Sequence, residues 1–296
     1  MNKDKWINKN CTNLIGKTIC ITGSTGGIAK YFTEIFASFG ANFIFANRNL
    51  QKSEKQKQEI LAKYPNCKIQ IFEVDMSDIN SIKIFAHDIK NIKIDILILN
   101  AAIYNVKVFQ TNLGYNNIFQ VNFISPYFLV KQLLPQLEKN YDSKVIVLGS
   151  IAHKFQKLNL TDLDYTKNAK TNKIYGNSKR FLMFSLYKLF LNKKTKLSIV
   201  HPGITLTNMT NHYHKLINWF VKIGISLVFP SPQKACLSIV KGAYDSTNEG
   251  EWIGPKMLNI WGYPKKQKLK KYKTDEAETM FQLAENIYSK IKTPKA

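Results

Sequence analysis

Strands alternating with helices along most of the chain predict an α/β protein, a doubly wound parallel sheet flanked by helices on both faces in a single domain. Two patterns carry this. Short apolar, β-branched runs recur, separated by stretches of helical periodicity. A glycine-rich turn, Gly23-Ser-Thr-Gly-Gly27, stands between the first such run and the first helical stretch.

The elements follow in order. Lys17 to Thr22 reads as the first strand, and the segment from the turn to Gly40 reads as a helix. Asn42 to Ala46 is the second strand, and Leu50 to Tyr64 a helix broken by Pro65. Lys68 to Val74 is the third strand, ending at Asp75, with Asp78 placed to cap the next helix. Ile94 to Leu99 is continuously apolar, as expected of a parallel strand covered on both faces. A long helix is predicted from about Gly114 to Glu138, then a strand from Val145 to Leu148. A polar loop leads to a helix carrying Tyr175 and ending near Leu191, and Leu197 to Val200 is the sixth strand. The compositional break at the lysine-rich run Lys265 to Lys273 suggests a domain over 1–264 and a basic extension with a helix over 265–296.

Composition excludes several classes. No apolar run is long enough to span a bilayer, and the polar, lysine-bearing N-terminus has no signal-like segment. The four cysteines are scattered without metal or redox spacing, which fits a reducing, cytoplasmic setting. The net charge of +23 invites anionic partners, yet it is almost all lysine, with arginine only at Arg48 and Arg180. Lysine is a point charge and a poor bidentate reader of bases, so nucleic acid is not expected as a partner. His153 and the pair His212 and His214 lack a third ligand at sensible spacing, so no metal site is predicted.

The glycine turn lies where a phosphate-binding turn belongs. Glycines admit a close backbone approach, and a helix N-terminus favours negative charge. The second strand ends in Asn47 and Arg48 with no acid. A carboxylate there suits the ribose hydroxyl of NAD, and an arginine suits the 2′-phosphate of NADP, so NADP is expected over NAD. Asp75 is placed to meet the adenine edge. Tyr175 and Lys179 share a helix face, setting a phenol beside an ammonium.

Taken together, Thr22-Gly-Ser-Thr-Gly-Gly-Ile-Ala29, Asn100-Ala-Ala102, Asn122, Ser150, Tyr175-x-x-x-Lys179 and Pro202-Gly203 resemble the short-chain dehydrogenase/reductase superfamily, from roughly Leu14 to Gly254. Ala29 and Ala102 stand where the superfamily usually has glycine, both small-for-small changes. Ser-Ile-Ala-His153, the wide gap from Ser150 to Tyr175, and Phe229-Pro-Ser-Pro-Gln233 are similar to the retinol-dehydrogenase-like branch.

The resemblance implies a Rossmann-type fold and hydride transfer between nicotinamide and a carbinol or carbonyl carbon. It implies Tyr175 as acid/base, with Lys179 and the nicotinamide charge lowering its pKa. Ser150 would hold the substrate oxygen, and Asn122 a relay water behind Lys179. The nucleotide would lie along Gly23, Ser24, Thr25, Gly27, Ile28, Asn47, Arg48, Asp75, Met76, Asn100, Ala101, Tyr175, Lys179, Pro202 and Gly203, with Thr207 on the carboxamide. Relatives pair through the helices holding Asn122 and Tyr175, so a homodimer is an expectation.

The stretch from about 204 to 231 falls where the superfamily keeps a variable substrate lid, and it is rich in apolar residues. A lipophilic carbonyl or alcohol substrate is expected, and with the basic tail, peripheral contact with a membrane surface. Two other classes compete: a catalytically silent nucleotide-binding regulator on the same fold, and a membrane-surface-binding protein.

Overall fold

The computed structural model describes residues 2–104, 106–165, 170–203 and 230–292. One eight-stranded sheet, β1 (Thr18–Thr22), β2 (Asn42–Asn47), β3 (Ile69–Glu73), β4 (Ile96–Leu99), β5 (Lys144–Leu148), β6 (Lys196–Val200), β7 (Glu251–Met257) and β8 (Trp261–Lys268), runs in the order β3-β2-β1-β4-β5-β6-β7-β8. All neighbouring pairs are parallel except β7 and β8, which form an antiparallel hairpin. The strand order reverses between β1 and β4, and such a switch point opens a crevice at the carboxyl ends of the strands.

The central strands are apolar on both sides because both faces are covered. On one face lie α1 (Lys3–Asn10), α2 (Ala29–Ser38) and α3 (Leu50–Leu61). They bury Trp6, Phe32, Phe36 and Ile60 against β1 and β2. The other face holds α4 (Ile79–Asp88) and α5 (Asn117–Phe119), which runs through a π-turn (Gln120–Ile124) into α6 (Ser125–Lys139), and also α7 (Thr171–Phe190). After β6 come α8 (Pro232–Ala235) and α9 (Leu237–Tyr244), the latter joining the first face, and α10 (Thr274–Lys292), joining the second.

The helix expected from Gly114 starts later and is not regular. Asn116 caps it by accepting from the Ile118 N–H, and the chain widens to a π-turn at Gln120–Ile124. Its buried polar side chains bond to loops rather than to the helix. Gln120 Nε2 donates to the Ser77 carbonyl at 2.8 Å, and Ser125 Oγ to the Met76 carbonyl at 2.5 Å. Such residues satisfy loop backbone that would otherwise be buried unpaired, and they fix the loop after β3 at the rim of the crevice.

The compositional break at Lys265 falls inside β8, so the C-terminal segment is not an appendage. Lys265, Lys266 and Lys268 of this edge strand remain exposed while the strand pairs, which also discourages edge-to-edge association. Ala277, Met280, Ala284 and Ile287 of α10 are core residues. Arg180 of α7 is ion-paired with Glu276, Lys131 of α6 with Glu285 at 2.8 Å, and the rings of Phe128 and Tyr288 meet at 5.4 Å. Helix α10 of the same chain thus packs on α6 and α7. Among the described residues no helix is long and apolar enough to cross a membrane.

Candidate active site

The glycine turn is built to leave donors free. Gly23 has φ +69°, and a Cβ there would lie 3.0 Å from Cα of Ala101, so only glycine lets the ends of β1 and β4 approach. Asn100 locks the two ends together, its Nδ2 donating to the carbonyls of Thr22 (3.1 Å) and Gly23 (2.7 Å). The Ala101 N–H donates to Thr22 Oγ1 at 3.2 Å. The N–H groups of Thr25, Gly27 and Ile28 donate to no described atom, and α2 has no side-chain cap and no acid in its first turn. Exposed donors at an uncapped helix N-terminus suit a phosphate, so these residues fit the nucleotide.

Two expected nucleotide residues turn inward instead. The Ser24 N–H donates to Asn47 Oδ1 at 2.7 Å, and Asn47 Nδ2 donates to Ser24 Oγ (2.8 Å) and Ser53 Oγ (2.9 Å). Ser24 Oγ in turn donates to Gln56 Oε1 at 2.7 Å. All are buried, where a polar group costs stability unless paired. The side chains of Ser24 and Asn47 therefore shape the turn rather than face a ligand, and Ser53 and Gln56 complete a network that spacing could not reveal. Met76 is likewise a core side chain. Arg48, by contrast, is exposed at the end of β2, with no hydrogen bond or ion pair to a described residue. One carboxylate oxygen of Asp75 accepts from the N–H (2.8 Å) and Oγ (2.7 Å) of Ser77, and the other has no hydrogen-bond partner among the described residues.

The chemistry-bearing residues meet at the carboxyl end of β5. Ser150 follows that strand and caps the 3-10 turn Ile151–Lys154, its Oγ accepting from the Ala152 N–H at 3.2 Å. Tyr175 and Lys179 lie one turn apart on α7, with Lys179 Nζ 6.0 Å from the Tyr175 ring centroid. Lys179 Nζ donates to the Leu148 carbonyl at 3.0 Å, which ties α7 to β5. The turn presses closely on α7: a Cβ on Gly176 would lie 2.8 Å from the Ala152 carbonyl oxygen. Tyr104, absent from the sequence expectations, packs edge-on against Tyr175 with centroids 4.9 Å apart.

Burial dominates the electrostatics of the pair. Burial pushes the Tyr175 phenol above its usual value, the Ser150 side chain opposes this, and Tyr104 adds to it. Lys179 is itself desolvated by burial, and its pKa falls to about 8. The Asn122 side chain accepts from the Ile103 N–H at 2.8 Å and donates to the Ile103 carbonyl at 2.9 Å and to Ser178 Oγ at 3.4 Å. Pro202 and Gly203 follow β6, Gly203 having φ +87°. Thr207, His212, His214 and most of the expected lid lie outside the described residues.

Comparison with known proteins follows the same outline. The sequence model described as short chain dehydrogenase matches residues 17–216. Mouse retinol dehydrogenase 12 is 32% identical over 210 residues, covering 69% of this chain and 66%, just under two thirds, of the relative. The chloroplastic short-chain dehydrogenase TIC 32 A of Brassica napus is 30% identical over 212 residues, covering 66% of each. Among solved structures, an uncharacterized protein from Mycobacterium paratuberculosis superposes with a TM-score of 0.74 at 20% identity, covering 95% of this chain and 96% of that one. A bulky-bulky ketone specific alcohol dehydrogenase from Comamonas testosteroni covers the same shares with a TM-score of 0.57 at 16% identity, a likeness of fold alone.

Proposed function

Because this chain belongs to the short-chain dehydrogenase family, we propose that it is an NADP-dependent oxidoreductase acting on the carbonyl or alcohol carbon of a lipophilic substrate. The observation that carries the reading is the convergence of Ser150, Tyr175 and Lys179 at the end of β5, beside a glycine turn with free N–H donors. When bound, the nicotinamide supplies the hydride chemistry.

The protein supplies the rest. Thr25, Gly27 and Ile28 offer N–H groups to the pyrophosphate, and Arg48 its fork to a 2′-phosphate. The free oxygen of Asp75 is available to the adenine edge. Ser150 holds the substrate oxygen, and Tyr175 gives it a proton in reduction or removes one in oxidation. Burial keeps the Tyr175 phenol protonated, so it has a proton to give in reduction, and the positive charge of oxidised nicotinamide favours its phenolate for the reverse direction. Lys179 orients the ribose from its anchor on Leu148.

The four cysteines are free, buried thiols, in keeping with a reducing compartment. A membrane-surface contact is a secondary reading. Met257 and Leu258 are 60% and 77% exposed at the tip of the β7–β8 hairpin, flanked by exposed Lys256, Lys265 and Lys266. An apolar tip with a basic rim suits an anionic bilayer, and flotation with acidic vesicles at low salt tests it, no binding removing the reading.

Initial rates on straight-chain aldehydes from butanal to decanal, with NADPH and NADH, test the main reading. Rates are expected to rise with chain length and to favour NADPH. Arg48→Ala should weaken NADPH use about 10-fold or more, the worth of a charged hydrogen bond, and leave NADH use unchanged. Equal use of the two cofactors by wild type would refute the NADP assignment.

A further inference from the structure

Ser150 is held from behind by a histidine whose two ring nitrogens face the same kind of partner. His153 is fully buried in the 3-10 turn, packed edge-on against Trp252 at 5.6 Å and tilted on Phe184 at 6.3 Å. Its Nδ1 stands 2.7 Å from the carbonyl oxygen of Ser150. Its Nε2 stands 3.1 Å from the carbonyl oxygen of Lys270, in the connection between β8 and α10. A carbonyl oxygen only accepts, and a neutral imidazole carries only one N–H. The ring could satisfy both carbonyls only as an imidazolium.

The surroundings oppose that charge. Burial pulls the His153 pKa down, the Ser150 and Lys270 carbonyls oppose this without reversing it, and Lys154 and Arg180 add like charge. The ammonium of Lys154 sits 5.4 Å over the Trp252 ring, Lys271 donates to the Lys154 carbonyl at 2.7 Å, and His201 stacks on Trp252 at 4.9 Å. Glu276, the acid on α10, is committed to Arg180 and Lys273. The ring is therefore neutral, and the shorter contact takes its proton. Nδ1–H donates to Ser150, and the Nε2 lone pair is left against the Lys270 carbonyl.

We propose that His153 is a positioning residue for Ser150. Its Nδ1–H fixes the Ser150 peptide and so the direction of Oγ, while Gly176 walls the turn from the other side. This rests on the reading of Ser150 as the group that holds the substrate oxygen. The Nε2 contact contributes little by comparison, because it sets acceptor against acceptor. The two ends can be separated chemically. Asparagine sets its amide nitrogen near the Nδ1 position, glutamine reaches only toward the Nε2 position, and phenylalanine fills the volume with neither.

The test combines rates with a tautomer measurement. Decanal and NADPH are the substrate probe, and NADPH binding is followed separately by its fluorescence. His153→Gln and His153→Phe are expected to lower kcat about 10- to 100-fold, the scale of a small misplacement at a reacting centre. NADPH affinity should stay within about twofold, since the ring does not touch the nucleotide turn. His153→Asn should recover kcat to within about threefold of wild type, because it restores the Ser150 bond. In a Ser150→Ala background His153→Phe should cost less than about twofold more, as two steps of one unit do. Nitrogen-15 histidine spectra of the wild type at neutral pH, assigned by the signal lost in His153→Asn, should show the proton on Nδ1.

A proton on Nε2 overturns the proposal. So does a wild-type kcat in His153→Phe while Ser150→Ala is impaired, or a full additional loss in the double variant. Wild-type kcat in Ser150→Ala alone removes the reading of Ser150 and this proposal with it, a result distinct from failure of His153 alone.

Discussion

Lys179 is where burial and chemistry conflict most. Among the described residues its ammonium has one carbonyl partner and no acid beside it, and desolvation lowers its pKa from 10.5 to about 8. In the unfolded chain it keeps its proton up to about pH 10.5, so between pH 8 and 10.5 the unfolded state binds more protons. Stability must rise with pH through that window and be flat below it. Comparison with Lys179→Met isolates this group from the others that titrate there. Urea unfolding without cofactor should show the wild type gaining on the variant by up to about 1.4 kcal/mol per pH unit between pH 8 and 10. No gain should appear between pH 6 and 7.5. The four-residue spacing of Tyr175 and Lys179 made this pair legible in the sequence, because helix periodicity alone puts both on one face. The direction of the Tyr175 shift was not legible. It depends on how deeply the phenol is buried and on Tyr104 across from it, and neither follows from spacing. The inward turn of Ser24 and Asn47 was hidden for the same reason, since their partners Ser53 and Gln56 lie on the next helix.

At the scale of elements, the site depends on how closely the 3-10 turn after β5 sits on α7. Gly176 allows it. Alanine at an ordinary helical position gains up to about 1 kcal/mol over glycine. Here its Cβ would lie 2.5 Å from Gln156 Cγ and 2.8 Å from the Ala152 carbonyl. Overpacking of that kind costs about 1–3 kcal/mol, so overpacking wins. Gly176→Ala is expected to be destabilised by about 1–2 kcal/mol in urea and to lose kcat through the displaced Ser150 turn. A variant as stable as wild type with intact kcat would show that the turn is not so constrained. Strand and helix alternation was readable from apolar periodicity throughout β1 to β6. The π-turn was not, because it arises where Gln120, Asn122 and Ser125 reach out to loops on other elements. The β7–β8 hairpin was also obscured, since Pro255, Pro264 and a run of lysines mask the pattern of an edge pair.

At the scale of the whole molecule, α10 closes the face of α6 and α7. Its buried Ala277, Met280, Ala284 and Ile287, with the pairs Arg180–Glu276 and Lys131–Glu285, make the C-terminus part of the core. The full chain is expected to run as a monomer in light scattering at micromolar concentration. Ending the chain at Lys273 should expose that apolar face and cause self-association or loss of cooperative unfolding. A stable dimer of the full chain would contradict this account of α10. The lysine excess, by contrast, is explained in part by an edge strand that needs charge on its open side.

The central claim is that Tyr175 transfers the proton at a carbonyl held by Ser150. It is tested most directly by NADPH consumption with decanal in wild type and Tyr175→Phe, with NADPH affinity measured alongside. Loss of a general acid predicts a rate at least about 100-fold lower in the variant, with unchanged NADPH affinity. Equal rates in the two proteins would contradict it.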